Sequence, residues 1–499
     1  MIPRLTRFKI KPSPNGHFLK KYATFFAGPL CGALLLAIVP DDFISPVTGK
    51  VLAMAAWMVI WWISEAVPVA VTAFLPLVFF PLLGIMNMKS VSAAYANPII
   101  FLFLGGFLLA SALEKHKLHE RIALNLIRVT GTSGNGIILG FMISTGFISM
   151  WISNTATAMM MLPIAASVIN LVRTSDQQKP HEMPPDERNF ALGLMLMVGY
   201  AATLGGLGTI IGTPPNVVFA GLLEEFYDQK LDFGKWMLIG VPVATALLFS
   251  TYFMITQLLF RNRIAHVKGS EVLISSRLAE LGSIRREEAR VLIIFAITCF
   301  LWIFQEALNA YVFRHDILND TNVAMMGGLL MFLVPADASR REFLLTWRDT
   351  ANIQWGILFL FGGGLALAAG LENAGIIQAL GKWISEGNVY SGWIVFGLII
   401  VTVGLSEVMS NVALVQIFVP VVFGMADGLG VAPVLLAMPV TLSASIGFMF
   451  PIATPPNAIV FSSGYIRIKD MFWAGLVLDV VSILIILIAS LTLIPWIYG

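Results

Sequence analysis

The stretch "SMWISNTATAMMMLPIA", Ser149 to Ala165, sets Ser153, Asn154 and Thr155 side by side with no charged residue around them. A polar triplet at membrane depth is costly unless it faces protein, water or a ligand. The same kind of triplet recurs as Ser410, Asn411 and Val412 in "SNVALVQIFVP", Ser410–Pro420. Each triplet lies near the middle of an apolar segment, 134–172 or 391–424. Segments of that length suit a helical hairpin that enters the membrane and returns on the same side.

The rest of the chain is equally apolar. Of its 499 residues 58% are hydrophobic and 12% charged, with a mean hydropathy of +0.84. Soluble domains carry about 25% charged residues, so the balance defines a polytopic membrane protein. A net charge of +2 gives no field for nucleic acid, and Cys31 and Cys299 form no disulfide or zinc pattern. "GGLGTIIG" at Gly205–Gly212 is not a dinucleotide fingerprint, because its spacing is wrong and no strand precedes it.

A bilayer core of about 30 Å needs roughly 20 apolar residues per helix. Eleven candidate spans centre on residues 22–40, 50–64, 67–84, 97–113, 191–222, 234–259, 290–310, 321–335, 355–371, 432–464 and 472–497. With the basic tail 1–21 in the cytoplasm, 25 of the 31 Lys and Arg residues fall on cytoplasmic loops. That asymmetry makes the first hairpin open from the cytoplasm and the second from outside. The expected fold is therefore all-α, about 11 transmembrane helices plus two re-entrant hairpins, in the plasma or inner membrane. Residues 261–289 form a charged, amphipathic cytoplasmic linker between the halves 22–260 and 290–499.

Three blocks repeat in the same order. "FLGGFLLASALE" (Phe103–Glu114) pairs with "FGGGLALAAGLE" (Phe361–Glu372), and "SNTATAMMMLP" (Ser153–Pro163) with Ser410–Pro420. "GTPPNVVF" (Gly212–Phe219) pairs with "ATPPNAIVF" (Ala453–Phe461). Flanking charges predict that the two copies point in opposite directions. Inverted repeats with interrupted helices point to a secondary transporter's midplane site.

Consecutive prolines, Pro214–Pro215 and Pro455–Pro456, must break the helices that carry them. A break frees carbonyls, as at Gly212 and Ala453, and starts a new half-helix. Freed carbonyls with Ser and Asn oxygens suit a hard monovalent cation such as sodium, and half-helix N-termini suit an anion. No Lys or Arg lies in either hairpin core or break, so bound cations would have to balance a dianion. The alternative is that these residues only glue helices together. Glu407, just before the second triplet, is either a proton or cation group or a local partner at the hairpin's outer mouth. No nucleophile–base or metal constellation suggests an enzyme.

In these motifs the chain resembles the divalent-anion/sodium symporter family, which includes the dicarboxylate and citrate transporters nicknamed INDY. The likeness runs through "NPIIFLFLGGFLLASALEKHKLHERIAL" (Asn97–Leu124), "SMWISNTATAMMMLPIA", "GTPPN" and "ASIGFMFPIATPPNAIV" (Ala444–Val460). It implies a homodimer in which a transport domain carrying both hairpins slides as an elevator against a scaffold domain. It also implies a first sodium site at Ser149, Ser153, Asn154 and the Gly212 region, and a second at Ser406, Met409 (through its backbone), Asn411 and the Ala453 region. Substrate carboxylates would meet Asn154, Thr155, Thr213, Pro214, Asn411, Thr454 and Pro455. Val412 stands where many dicarboxylate members carry threonine, which leaves the preferred anion open.

The expected function is sodium-coupled symport of di- or tricarboxylates, with no organic cofactor. A sodium-independent exchanger or a sodium–sulfate symporter on the same fold are the nearest alternatives.

Overall fold

The computed structural model describes residues 16–38, 45–173, 183–337, 342–379 and 391–499. Most of the tail 1–21, part of the loop 173–188 and Lys382 lie outside them. The first helices are α1 (Gly16–Ile38) and α2 (Pro46–Ser64). The latter starts on Ser45, whose side chain accepts from Thr48 N at 3.2 Å, with Pro46 in the first turn where its missing N–H costs nothing. Pro68 and Pro76 divide the next apolar run into α3 (Val69–Thr72) and α4 (Leu75–Leu82), and Pro81 sits in the last turn of α4. Then come α5 (Met88–Ala94), α6 (Pro98–Lys115) and the amphipathic α7 (Leu118–Val129).

The first hairpin is α8 (Gly134–Ser149) and α9 (Asn154–Val172), reversing at Met150–Ser153. The interrupted helix follows as α10 (Pro185–Gly205) and α11 (Pro214–Tyr227), then α12 (Phe233–Phe253). A surface helix α13 (Ser270–Leu281) leads into α14 (Arg286–Ala307) and α15 (Asp320–Leu333). The second half repeats the order. It runs through α16 (Trp355–Asn373), a hairpin of α17 (Ser391–Ser406) and α18 (Asn411–Leu429), and an interrupted α19 (Pro433–Ala444) and α20 (Pro455–Phe461). The chain ends in α21 (Ile468–Leu491) and α22 (Leu493–Tyr498).

One expectation needs correction. Among the described residues nine helical stretches, not eleven, are long and apolar enough to cross a membrane, and two of these are the hairpin arms α9 and α18. Segment 22–40 falls short with an apolar helix of Ala23–Ile38 among the described residues, 67–84 and 432–464 because prolines interrupt them, and 321–335 because α15 stops at Leu333 before Pro335. The all-α expectation stands, with one small addition among the described residues. A two-stranded antiparallel ribbon, β1 (Pro335–Asp337) and β2 (Glu342–Phe343), closes the loop beyond α15.

The core sits around α10, which is buried along nearly its whole length between α8, α9 and α12. Close approach makes glycine necessary there: a Cβ on Gly205 would lie 2.2 Å from Gly146 O of α8. The halves interlock. Half-helix α11 packs on α18 and α19 of the second half, while α20 packs on α9 and α10 of the first. Both breaks are thereby brought to one place. Outside the core, Arg121 of α7 joins Glu288 at 2.7 Å and the carbonyls of Leu281 and Gly282, pinning the linker to the first half.

Candidate functional site

Each hairpin tip lands on the break of its own half. In the first, Ser149 Oγ at the end of α8 donates to Ala202 O of α10 at 2.5 Å. Thr209 Oγ1, inside the break, donates to Met150 O in the reversal at 2.5 Å. The Asn154 amide, with its nitrogen turned inward, donates to Ser149 Oγ (2.7 Å), Ala202 O (3.0 Å) and Gly212 O (3.2 Å). Ser153 caps α9, accepting from Ala156 N at 3.2 Å.

The break itself is stapled from within. Asn216 Nδ2 donates to Thr209 O at 2.8 Å and Gly206 O at 3.3 Å, satisfying carbonyls that the lost helical turn left free. A Cβ on Gly212 would come within 2.5 Å of Gly206 O, so only glycine lets the chain fold back this tightly.

The second half reproduces this pattern. Ser406 Oγ donates to Ile446 O of the second break. Asn457 Nδ2 donates to Gly447 O (2.9 Å) and Phe450 O (3.2 Å). Asn457 lies 241 positions after Asn216, and its two acceptors lie 241 after Gly206 and Thr209. The sequence repeat is therefore repeated as the same side-chain bonds. One element has no counterpart. Glu407, buried and not at an outer mouth, accepts from Phe448 N (2.6 Å) and Met449 N (3.1 Å), with the Asp479 carboxyl of α21 alongside. It braces the second break, while Tyr200 Oη of α10 donates to Phe448 O at 3.0 Å and joins the two halves there.

Between the tips lies a cavity of about 490 Å³. Asn154, Thr155, Thr213, Pro214, Asn411, Val412, Thr454 and Pro455 all line it, as do Ser153, Gly212, Met409 and Ala453. Ser149 and Ser406 do not. They are fully buried behind the tips, Ser149 bonded to α10 and Ser406 to the second break. Phe103, Phe107, Ile357 and Gln354 close the other side, and no Lys or Arg is among the lining residues.

Among the buried amide oxygens that meet no donor are those of Asn216, Asn411 and Asn457, alongside Asn262, Gln305 and Gln416 elsewhere. Leaving such a group unpaired costs about 1–3 kcal/mol. Sequence reading named the Thr-Pro-Pro-Asn turns but passed over Asn216 and Asn457 themselves as working residues. The recurrence of that asparagine in both turns was the signal.

A polytopic chain with two tip-on-break sites around one shared cavity has the build of a secondary transporter. The family model described as the sodium:sulfate symporter transmembrane region matches residues 21–498. The chain belongs to this divalent-anion/sodium symporter family. It is 40% identical to a sodium-dependent dicarboxylate transporter, SdcS, of Staphylococcus saprophyticus, over 99% of this chain and 95% of that one. The SdcS of Staphylococcus aureus strain NCTC 8325 is 38% identical over 96% of this chain and 94% of its own length. Two solved structures share the fold at 12% identity. The YdaH transporter of Alcanivorax borkumensis has a TM-score of 0.53, covering 82% of this chain and 88% of its own. MtrF of Neisseria gonorrhoeae has a TM-score of 0.55, covering 80% and 83%.

Proposed function

We propose that the protein is a sodium-coupled symporter of dicarboxylates, the succinate, malate and fumarate class, with its substrate in the cavity between the hairpin tips. The observation that carries this reading is the donor set. At the first tip, Ser149 Oγ, Ala202 O and Gly212 O all face the Asn154 amide. With the amide oxygen turned inward instead, a cation at the tip would meet the oxygens of Ser149, Asn154, Ala202 and Gly212. The unpaired oxygens of Asn216, Asn411 and Asn457 offer the same hard ligands elsewhere in the two sites. Sodium, a cargo ion here, fits such oxygen-only sites.

Charge balance favours sodium coupling over exchange. The N-termini of α9, α11, α18 and α20 all reach the cavity and supply roughly half a positive charge each, so Glu65 and a dianion together leave about one negative unit unmet when no basic residue lines it. Sodium ions beside the tips supply the remainder. Ser149, Ser153, Asn154 and Gly212 would serve the first ion; Ser406, Met409, Asn411 and Ala453 the second. Carboxylates would meet Asn154, Thr155, Asn411, Thr213, Pro214, Thr454 and Pro455. Val412 offers them no hydroxyl, so sulfate or citrate preference remains the competing reading of the substrate.

The reading extends to mechanism. Both hairpins and both breaks would travel together as a transport domain against a scaffold within a homodimer, in a bacterial-type inner membrane with the N-terminus cytoplasmic. Uptake of labelled succinate into proteoliposomes tests the function. An inward sodium gradient should stimulate it severalfold over a potassium gradient, whereas sodium-indifferent counterflow would establish an exchanger instead.

A further inference from the structure

Glu65 is the one charged side chain among the residues lining the cavity. It comes from α2, outside both hairpins and both breaks, and it is exposed. No ion pair or hydrogen bond ties its carboxylate to any described residue. Local physics disfavours a glutamate at this position on two counts. It occupies the left-handed region (φ 48°, ψ 34°), where glycine or asparagine fits at least cost. It also places negative charge at a helix C-terminus, against the macrodipole. A residue that breaks two local rules without a partner is best explained by what it faces, and Glu65 faces the cavity.

We propose that Glu65 is a charge-selecting residue at the cavity's edge, admitting a dianion only in company with its cations and discriminating against trianions. The proposal rests on the cavity being the carboxylate site. A fixed negative charge in a cavity without basic residues raises the local concentration of sodium and repels an unescorted anion. The repulsion grows with ligand charge. For an exposed carboxylate at the cavity's edge, each further unit of negative charge is disfavoured severalfold in affinity at low ionic strength. Because Glu65 is exposed, added salt should erode this effect. The same repulsion favours release once the sodium ions have left.

The test is equilibrium binding of succinate and fully ionised citrate to the purified full-length protein at saturating sodium and two ionic strengths. Wild type, Glu65→Gln and Glu65→Asn are compared. Glutamine removes the charge and keeps the length; asparagine also removes the charge and suits the left-handed backbone better. Both variants should tighten citrate relative to succinate severalfold at the lower ionic strength, the gap shrinking at the higher one. An unchanged ratio in Glu65→Gln overturns the proposal, and a shift in Glu65→Asn alone assigns the position to backbone geometry. If wild type binds neither acid in sodium, the cavity assignment itself fails and this inference falls with it. If wild type binds succinate and only the ratio stays fixed, the cavity assignment stands and Glu65 alone is misread.

Discussion

Asn154 and Asn411 begin equivalent helices, yet they have different neighbours. The Asn154 amide spans Ser149, Ala202 and Gly212, whereas Asn411 Oδ1 is buried without a donor. Asn154→Ala should abolish sodium-driven uptake, because losing one charge-assisted contact costs about 1.5–3 kcal/mol, roughly 10- to 150-fold in ion affinity. Asn411→Ala should do the same with less effect on folding, since in the absence of ligand it removes an unpaired oxygen. Thermal melting of both variants without ligand separates the two cases: Asn154→Ala should melt lower than Asn411→Ala. Normal uptake in both would show that the site lies elsewhere. Val412→Thr adds a hydroxyl to the cavity wall and should shift the succinate-to-citrate affinity ratio severalfold while leaving the melting temperature nearly unchanged.

At the scale of elements, the hairpin and the broken helix act as one unit. Gly205→Ala places a methyl against the Gly146 carbonyl, a backbone atom that cannot step aside. Such overpacking costs about 1–3 kcal/mol, and here it pushes the hairpin arm off the break. The melting temperature should fall, and the sodium concentration needed for half-maximal uptake should rise. Glu407→Gln weakens the carboxylate's hold on Phe448 N and Met449 N. It should impair the second break without touching the first, which would lower the steepness of the sodium dependence.

How much of this was legible follows element by element. The triplets and the Thr-Pro-Pro-Asn turns mark where helices must stop, because proline and polar groups are punishing at membrane depth. Directions of side chains were not legible. That Asn216 turns back on Gly206 and Thr209, or that Glu407 points into the break, depends on where the chain goes after the proline. The placement of Glu65 at the cavity depends on α2 packing against α16 and α18, which no local pattern announces.

For the whole molecule, the interlocking of α11 with α18 and α19, and of α20 with α9 and α10, places both tips around a single cavity. On the proposed assignment two cation sites and one anion site would share one charge balance, and occupancy of each should strengthen the others. Sodium and succinate together should raise the melting temperature by more than the sum of their separate effects, a ligand at 100 times its Kd being worth about 2.7 kcal/mol. Additive shifts would mean independent sites.

The most direct measurement of this shared balance is succinate affinity as sodium replaces potassium at constant ionic strength. The arrangement of oxygens around a cavity without basic residues predicts that affinity climbs steeply, with more than one sodium ion taken up per succinate. Equal affinity in potassium and sodium would contradict it.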